Sequence, residues 1–124
     1  MKYLSYTLTL RLYGKEKVIG PGMAELLEKI EALKSIRQAT AAMGMAYSKA
    51  WRILKNAEDS LGFPLLTLTT GGRGGGGAEL TQAGRDFLAA YRRFLSEVVT
   101  QADQIFAEVF HAVPNDVPPQ EGGI

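Results

Sequence analysis

Five basic side chains lie close together in the middle of the chain, where they could bind a polyanion. No acidic residue separates them, although the formal net charge of the 124 residues is only +1. Clustered positive charge favours contact with phosphate groups even when the total charge is small. An ordinary solvated face is the alternative, and charge alone does not decide between the two. The five residues are Lys34, Arg37, Lys49, Arg52 and Lys55.

Residues for catalysis or metal binding are scarce. The chain has no cysteine, which excludes disulfides, thiolate zinc sites and cysteine nucleophiles and is compatible with a reducing cytosol. Its one histidine, His111, follows the apolar Phe110 and is remote in sequence from any group of carboxylates. We therefore predict that the chain is not an enzyme. The apolar content of 46% should build one core without a cofactor.

The chain is expected to be a soluble cytoplasmic protein without a membrane partner. Its first residues contain no apolar run of signal-peptide length, and no stretch of about 20 uncharged apolar residues follows. Residues 1–22 are predicted to form an N-terminal strand or hairpin. Apolar and polar residues alternate from Tyr3 to Tyr13, as in a half-buried strand, and Val18-Ile19 is expected to pair back after a polar turn.

Three helices are predicted next, within a domain spanning residues 23–81. Met23 to Leu33 has one apolar and one charged face. Ser35 matches a helix cap, and Gly44 matches a left-handed helix end. The third helix is expected from about Ala46 to Leu61. On it, Trp51 is placed inward with Leu54 as a core anchor, in preference to a role in stacking on bases.

A β-hairpin is expected after these helices. Its strands are Leu65 to Thr70 and Ala78 to Thr81, joined by a glycine-rich loop that contains Arg73. So little side-chain bulk would let Arg73 approach a phosphate backbone or a minor groove. A nucleotide-binding loop would require Gly-Lys-Ser/Thr at a helix start, which this loop lacks. A flexible hairpin without any contact stays possible.

A long helix over residues 82–112, capped by Thr81, is predicted to form a dimer. Apolar residues recur along it at spacings of four and three, as in a helix that packs against a partner helix. Folding back onto its own domain would cover the first two turns and leave Ile105 to Phe110 exposed. The tail over residues 113–124 is rich in proline and glycine and is expected to be disordered. The predicted dimerisation residues are Tyr91, Leu95, Val98, Ala102, Ile105 and Val109.

Together these elements predict an α+β fold that is mainly α, a winged helix-turn-helix with an N-terminal strand and a long C-terminal helix. In that fold, the N-terminal outward side chains of the third helix reach base edges in the major groove of double-stranded DNA. Arg52 could pair with a guanine, and Lys55, one turn further on, is better placed for the DNA backbone. The predicted DNA-binding residues are Tyr47, Ser48, Lys49, Arg52, Lys55 and Arg73.

Three sequence runs together resemble the N-terminal DNA-binding domain of the ModE family of molybdate-responsive regulators. They are Gly-Met-Ala-Tyr-Ser-Lys-Ala-Trp from Gly44, the glycine-rich loop from Gly71 to Gly77, and Leu80-Thr-Gln-Ala-Gly84. The last run is also similar to the LysR-type winged helix, so the glycine-rich wing carries most of the specificity. The resemblance covers about Leu4 to Val109.

This resemblance implies a homodimer joined partly through the long helix and the N-terminal strand, with each third helix in one half of a palindromic operator. On that analogy the positions facing DNA are Tyr47, Ser48, Lys49, Arg52 and Arg73. Two departures from the family pattern stand out. Ala46 occupies the place of a helix-capping serine. The family's C-terminal oxyanion-binding domain is not expected here, so neither a cofactor nor molybdate sensing is predicted, and the effector is left open.

Two functions from different classes follow from the sequence. The first is a sequence-specific transcriptional regulator that binds duplex DNA. The second is a protein-interaction module that keeps the winged-helix fold without specific DNA binding, which the small net charge favours slightly.

Overall fold

The computed structural model describes residues 4–69 and 76–113. Within them the fold has four helices and two small antiparallel hairpins, which confirms the predicted winged helix-turn-helix of α+β class. The described chain divides into two compact units, residues 11–89 and residues 4–10 with 90–113. In chain order the elements are β1 (Leu12–Tyr13), β2 (Lys17–Ile19), α1 (Pro21–Leu33), α2 (Ile36–Met43), α3 (Tyr47–Leu61), β3 (Leu66–Thr69), β4 (Gly77–Leu80) and α4 (Gln82–Phe110).

The core of the unit over residues 11–89 forms around α1. Its apolar face is buried from Met23 to Ile30 because α1 contacts α2, α3, β2 and β4. Burial of this face removes several large aliphatic side chains from water, at about 1.5–3 kcal/mol for each. The completely buried residues of α1 are Ala24, Leu26, Leu27 and Ile30, each with 0% exposure.

Local capping signals end and begin these helices as the sequence predicted. The Ser35 hydroxyl accepts a hydrogen bond of 3.0 Å from the backbone N–H of Gln38, which caps α2. Gly44 ends α2 at φ 64°, a left-handed conformation that favours glycine. No side chain caps α3, where Ala46 holds the N-cap position. The turn between α2 and α3 is therefore fixed by Gly44 and by packing.

The Leu80-Thr-Gln-Ala-Gly84 run joins the β3–β4 hairpin to the start of α4. Leu80 is buried, and the Thr81 hydroxyl donates to the Pro64 carbonyl at 2.8 Å and accepts from the Gly84 N–H at 2.9 Å. This confirms Thr81 as the cap of α4. Gly84 lies so close to Leu65 that a Cβ on it would overlap with the Leu65 carbonyl oxygen. The first turn of α4 therefore packs against Leu65, the residue before β3.

The N-terminal segment differs from the predicted strand. Only Leu12–Tyr13 forms a strand, paired with β2, whereas residues 4–11 have no regular secondary structure. Exposure does alternate along them. In the unit of residues 4–10 and 90–113, the Tyr6 ring packs on Phe106 at 4.9 Å, and Tyr91 Oη donates to the Leu10 carbonyl at 2.8 Å. Contact with one helix face gives the same period of two as a sheet, so the strand prediction was wrong here.

The Tyr6 side chain also has a polar contact in this unit. Its hydroxyl donates to the carboxylate of Asp103. That hydrogen bond, together with the neighbouring negative charge, favours the neutral phenol and raises the pKa of Tyr6 to about 12.

The apolar stripe of α4 is buried at its beginning and exposed at its end. Tyr91 and Leu95 are 1% and 7% exposed, and Val98 and Ala102 are half-buried. Ile105 and Val109 are exposed by 56% and 62%. The first two dimerisation candidates are therefore already buried within a single copy, and the free apolar surface is at the C-terminal end of the stripe.

Several predictions concern parts of the chain outside the described residues. They are the Arg73 contact, the start of the first strand at Tyr3, and the tail from residue 114 onward. No helix in the described part of the chain combines the length and the apolar character needed to cross a membrane.

Candidate nucleic-acid interface

The outward face of α3 presents the predicted base-reading residues. Residues one helical turn apart share a face, so the inward stripe is formed by Ala50, Leu54 and Ala57, which are 0%, 2% and 0% exposed. The opposite side carries only side chains that are exposed. These are Ser48, Lys49, Arg52 and Lys55. The packing of α3 against α2 and β2 thus leaves its polar face open to a ligand.

The positive charges around α3 are not equally available. Lys55 Nζ lies 3.9 Å from the Asp59 carboxylate, and Lys34 Nζ lies 3.5 Å from Glu31. Lys49 and Arg52 form no ion pair within residues 4–69 and 76–113. Their charges are therefore free to bind an anion, whereas Lys34 and Lys55 would have to share theirs.

Trp51 does not occupy the predicted core position. It is 37% exposed, whereas the neighbouring Leu54 is buried. Ala50 and Ala57 fill the centre of the inward stripe of α3, and Trp51 falls at the edge of that stripe. Its indole forms part of a groove instead, with the Tyr47 ring 6.2 Å away in an edge-to-face arrangement. The prediction of a core anchor was wrong because helical periodicity assigns a side chain to one face of α3 but does not show how far the neighbouring elements cover that face.

Arg37 contacts the beginning of α3, although sequence reasoning did not include it among the DNA-binding residues. Its guanidinium carbon lies 4.3 Å from the centroid of the Tyr47 ring, a cation–π contact between α2 and α3. The only sequence signal for Arg37 was its membership in the basic stretch. Its position beside Tyr47 depends on the turn that joins the two helices.

The β3–β4 hairpin is fixed to the three-helix core by Glu31. This carboxylate of α1 accepts hydrogen bonds from the Leu80 backbone N–H at 3.0 Å and from Arg85 Nε at 2.5 Å. These two donors stabilise the charged form and hold the pKa of Glu31 below its ordinary value. The base of the wing is therefore held in a defined position relative to α1 and the first turn of α4.

Among the described residues, no group of three or more His, Asp or Glu side chains could hold a metal ion. What the described side chains offer is a cationic helix face, an aromatic groove beside it and a fixed hairpin base. This arrangement suits the binding of an extended anionic polymer better than it suits covalent chemistry.

Comparison with known proteins finds relatives that align with 54% to 82% of this chain. A chain of Herbaspirillum seropedicae, the molybdenum transport protein ModE, is 39% identical over 67 residues, 54% of this chain and 25% of its own length. The protein of the same name from Azotobacter vinelandii is 32% identical over 92 residues, 74% of this chain and 34% of its own. The DNA-binding transcriptional dual regulator ModE of Escherichia coli K12 is 31% identical over 101 residues, 82% of this chain and 38% of its own.

The chain thus spans between 25% and 38% of the length of these relatives. Residues 23–85, about half of the chain, match the family described as bacterial regulatory helix-turn-helix protein, lysR family. The matched residues begin in α1 and end in the first turn of α4, so they contain α2, α3 and the β3–β4 hairpin. The sequence-based resemblance to ModE and to LysR-type winged helices is confirmed, and the chain belongs to the lysR family of bacterial regulatory helix-turn-helix proteins.

Proposed function

We propose that this chain is a DNA-binding transcriptional regulator that acts as a homodimer on a palindromic site. The observation that carries the proposal is the exposed polar face of α3, on which Lys49 and Arg52 have no carboxylate partner in the described part of the chain. A helix of this diameter fits the major groove of B-DNA, and its N-terminal side chains face the base edges.

The proposed roles follow from position on α3. Ser48, Lys49 and Arg52 contact bases, with Arg52 suited to bidentate pairing with guanine. Tyr47 and Lys55 contact the backbone, Lys55 through a charge it shares with Asp59. Arg73, which lies between β3 and β4 in the sequence, keeps its proposed role as a wing contact to phosphate or the minor groove.

The relatives support the same function. The Escherichia coli protein carries the name DNA-binding transcriptional dual regulator, and 82% of this chain aligns with it. The names of the relatives from Herbaspirillum seropedicae and Azotobacter vinelandii refer to molybdenum. Since the aligned region is a minor part of those proteins, we propose for this chain the DNA-binding role, in the cytoplasm, and leave its effector open.

Dimer formation is proposed from the end of α4. Ile105 and Val109 are more than half exposed and lie four residues apart on one helix face, a spacing that suits a partner helix. A second copy covering them would be related by two-fold symmetry, and two α3 helices would then bind two half-sites of a palindrome.

The test is fluorescence anisotropy of labelled duplexes at several salt concentrations. We expect binding to weaken steeply with salt, because each phosphate neutralised by the protein releases counterions, and we expect tight binding to sequences enriched from a random pool. A salt dependence near zero, or equally weak binding to every duplex, contradicts the proposal. Co-purification of a stable protein partner in that case would select the alternative of an interaction module.

A further inference from the structure

We propose that the groove between α3 and the β3–β4 hairpin holds one sugar–phosphate strand of the bound DNA, with Arg37 contacting a phosphate and Trp51 packing against deoxyribose. This inference rests on the proposed DNA-binding function and adds a strand-binding surface to it. Of the groove residues, only Tyr47 is among the DNA-binding residues predicted from the sequence, and Arg37 was noted there only as part of the basic stretch.

The groove is lined by α2, α3 and the hairpin and has a volume of about 480 Å³. Its apolar wall consists of Tyr47, Trp51 and Leu68, which are 36%, 37% and 49% exposed. Such exposure is high for three large apolar side chains that face one another across a groove. A partner that is apolar on one side and anionic on the other would cover them, and a sugar–phosphate strand has that character.

The positive charge in the groove favours an anionic ligand. Arg37 lines the groove, and its guanidinium face is occupied by the Tyr47 ring at 4.3 Å, which leaves the N–H groups at its edge to donate. No carboxylate pairs with it in the described part of the chain. Gln38, exposed beside it, adds an amide donor. Since no acidic residue lies between Lys34 and Lys55, nothing along α2 or the first half of α3 would repel a phosphate.

The shape of the groove is held by contacts at the base of the hairpin. The Ala78 N–H donates to the Lys34 carbonyl at 3.0 Å, which joins β4 to the end of α1. Gly77 permits this approach, because a Cβ there would lie 2.8 Å from Thr69 Oγ1 and 3.2 Å from the Lys34 carbonyl oxygen. The position of the hairpin base relative to the end of α1 is thus held by backbone contacts.

Trp51 provides a direct readout, since it is the one tryptophan of the chain. In a single titration of protein with the enriched duplex, the anisotropy of the labelled DNA reports binding, and the Trp51 emission reports the groove. We expect a shift of the Trp51 emission and a loss of its accessibility to acrylamide that saturate together with the anisotropy. A rise in anisotropy with unchanged emission and accessibility overturns the groove proposal and leaves the proposed function intact. No rise in anisotropy with any duplex overturns both.

A second copy of the chain is the other occupant to exclude. If Trp51 emission changes with protein concentration in the absence of DNA, the groove is covered by protein, and the proposal fails.

Arg37→Gln tests the phosphate contact. We expect it to weaken binding to all duplexes about equally, by about tenfold, and to reduce the slope of log affinity against log salt by about one. Lys15→Gln is the matched control, because it removes the same charge at a site away from the groove. Lys15 follows Gly14, which lies beside Ser60 near the C-terminal end of α3. Equal affinities and equal slopes for the two variants would show that Arg37 does not touch a phosphate.

Discussion

Arg85, in the first turn of α4, donates a hydrogen bond of 2.5 Å from Nε to the carboxylate of Glu31 in α1. The same carboxylate accepts from the Leu80 N–H at the end of β4. One side chain of the first helix therefore fixes both the wing and the start of the long helix. The Glu31 side chain is only 29% exposed. If its carboxylate were lost, water would not fully replace the hydrogen bonds that it accepts from the Leu80 N–H and Arg85 Nε.

Glu31→Gln is expected to lower the free energy of unfolding at neutral pH by about 1–3 kcal/mol, because the charged acceptor for two donors is lost. Urea denaturation at pH 7 measures this difference. Glu25→Gln is the matched control, since its carboxylate is 54% exposed and lies 4.0 Å from Lys29. Equal stability of the two variants would show that the Glu31 contacts do not contribute.

The stabilisation by Glu31 should depend on pH. Its pKa is lowered in the folded state, so as the pH falls the unfolded chain takes up the proton first. The contribution is therefore complete above the ordinary glutamate pKa and is lost as the pH falls through the lower folded value. Repeating the denaturation at about pH 3 should show a smaller gap between Glu31→Gln and the unmodified protein. A gap that stays constant or grows in acid would contradict this assignment.

Gly84→Ala should destabilise the protein by about 1–3 kcal/mol, because the added methyl would overlap with the Leu65 carbonyl oxygen and force backbone to move. Thermal unfolding would record the loss. Gly22→Ala is the control, since a Cβ at that position would have no atom within 4 Å and alanine favours a helix. If Gly84→Ala is as stable as Gly22→Ala, the close approach of α4 to Leu65 does not contribute to the stability of the fold.

Tyr91→Phe should cost about 1 kcal/mol of unfolding free energy, because it removes the hydroxyl that donates to the Leu10 carbonyl from a side chain that is 1% exposed. Chemical denaturation is again the measurement. Tyr13→Phe loses the same hydroxyl from a ring that is 67% exposed and should change stability by less than about 0.5 kcal/mol. A stable Tyr91→Phe variant would mean that this bond to the N-terminal segment is dispensable.

Ile105→Glu should shift the protein from dimer to monomer in static light scattering at micromolar concentration, because it places a charge on the exposed apolar end of α4. Ala107→Glu adds the same charge on the opposite side of the helix and should remain dimeric. A monomeric unmodified protein would refute the proposed dimer. Dimers of equal strength for both variants would place the interface elsewhere.

Arg52→Ala should reduce discrimination between operator and non-operator duplexes by about 1–3 kcal/mol, because a bidentate contact to guanine is lost. Competition anisotropy with both duplexes gives this difference. Lys55→Ala should instead weaken binding to both by a similar small amount, since its ammonium is shared with Asp59. The assignment of base contact to Arg52 fails if its variant loses the same affinity for both duplexes.

The sequence by itself determined the elements whose causes are local. Ser35 and Thr81 cap helices with their own hydroxyls, and Gly44 ends α2 because its conformation suits glycine. These interactions span three or four residues, so composition and spacing were sufficient to predict them. The exposed polar face of α3 followed in the same way from helical periodicity.

The tertiary structure decided what depends on residues far apart in the chain. The alternation of the N-terminal segment predicted a strand, but contact with α4 produces the same pattern of burial. Trp51 lies in a groove because α2 and the hairpin leave that edge of α3 uncovered, and Arg37 meets Tyr47 because the turn at Gly44 sets the direction of α3. Periodicity tells which side of an element is apolar; only the packing of the other elements decides what covers that side, and how completely.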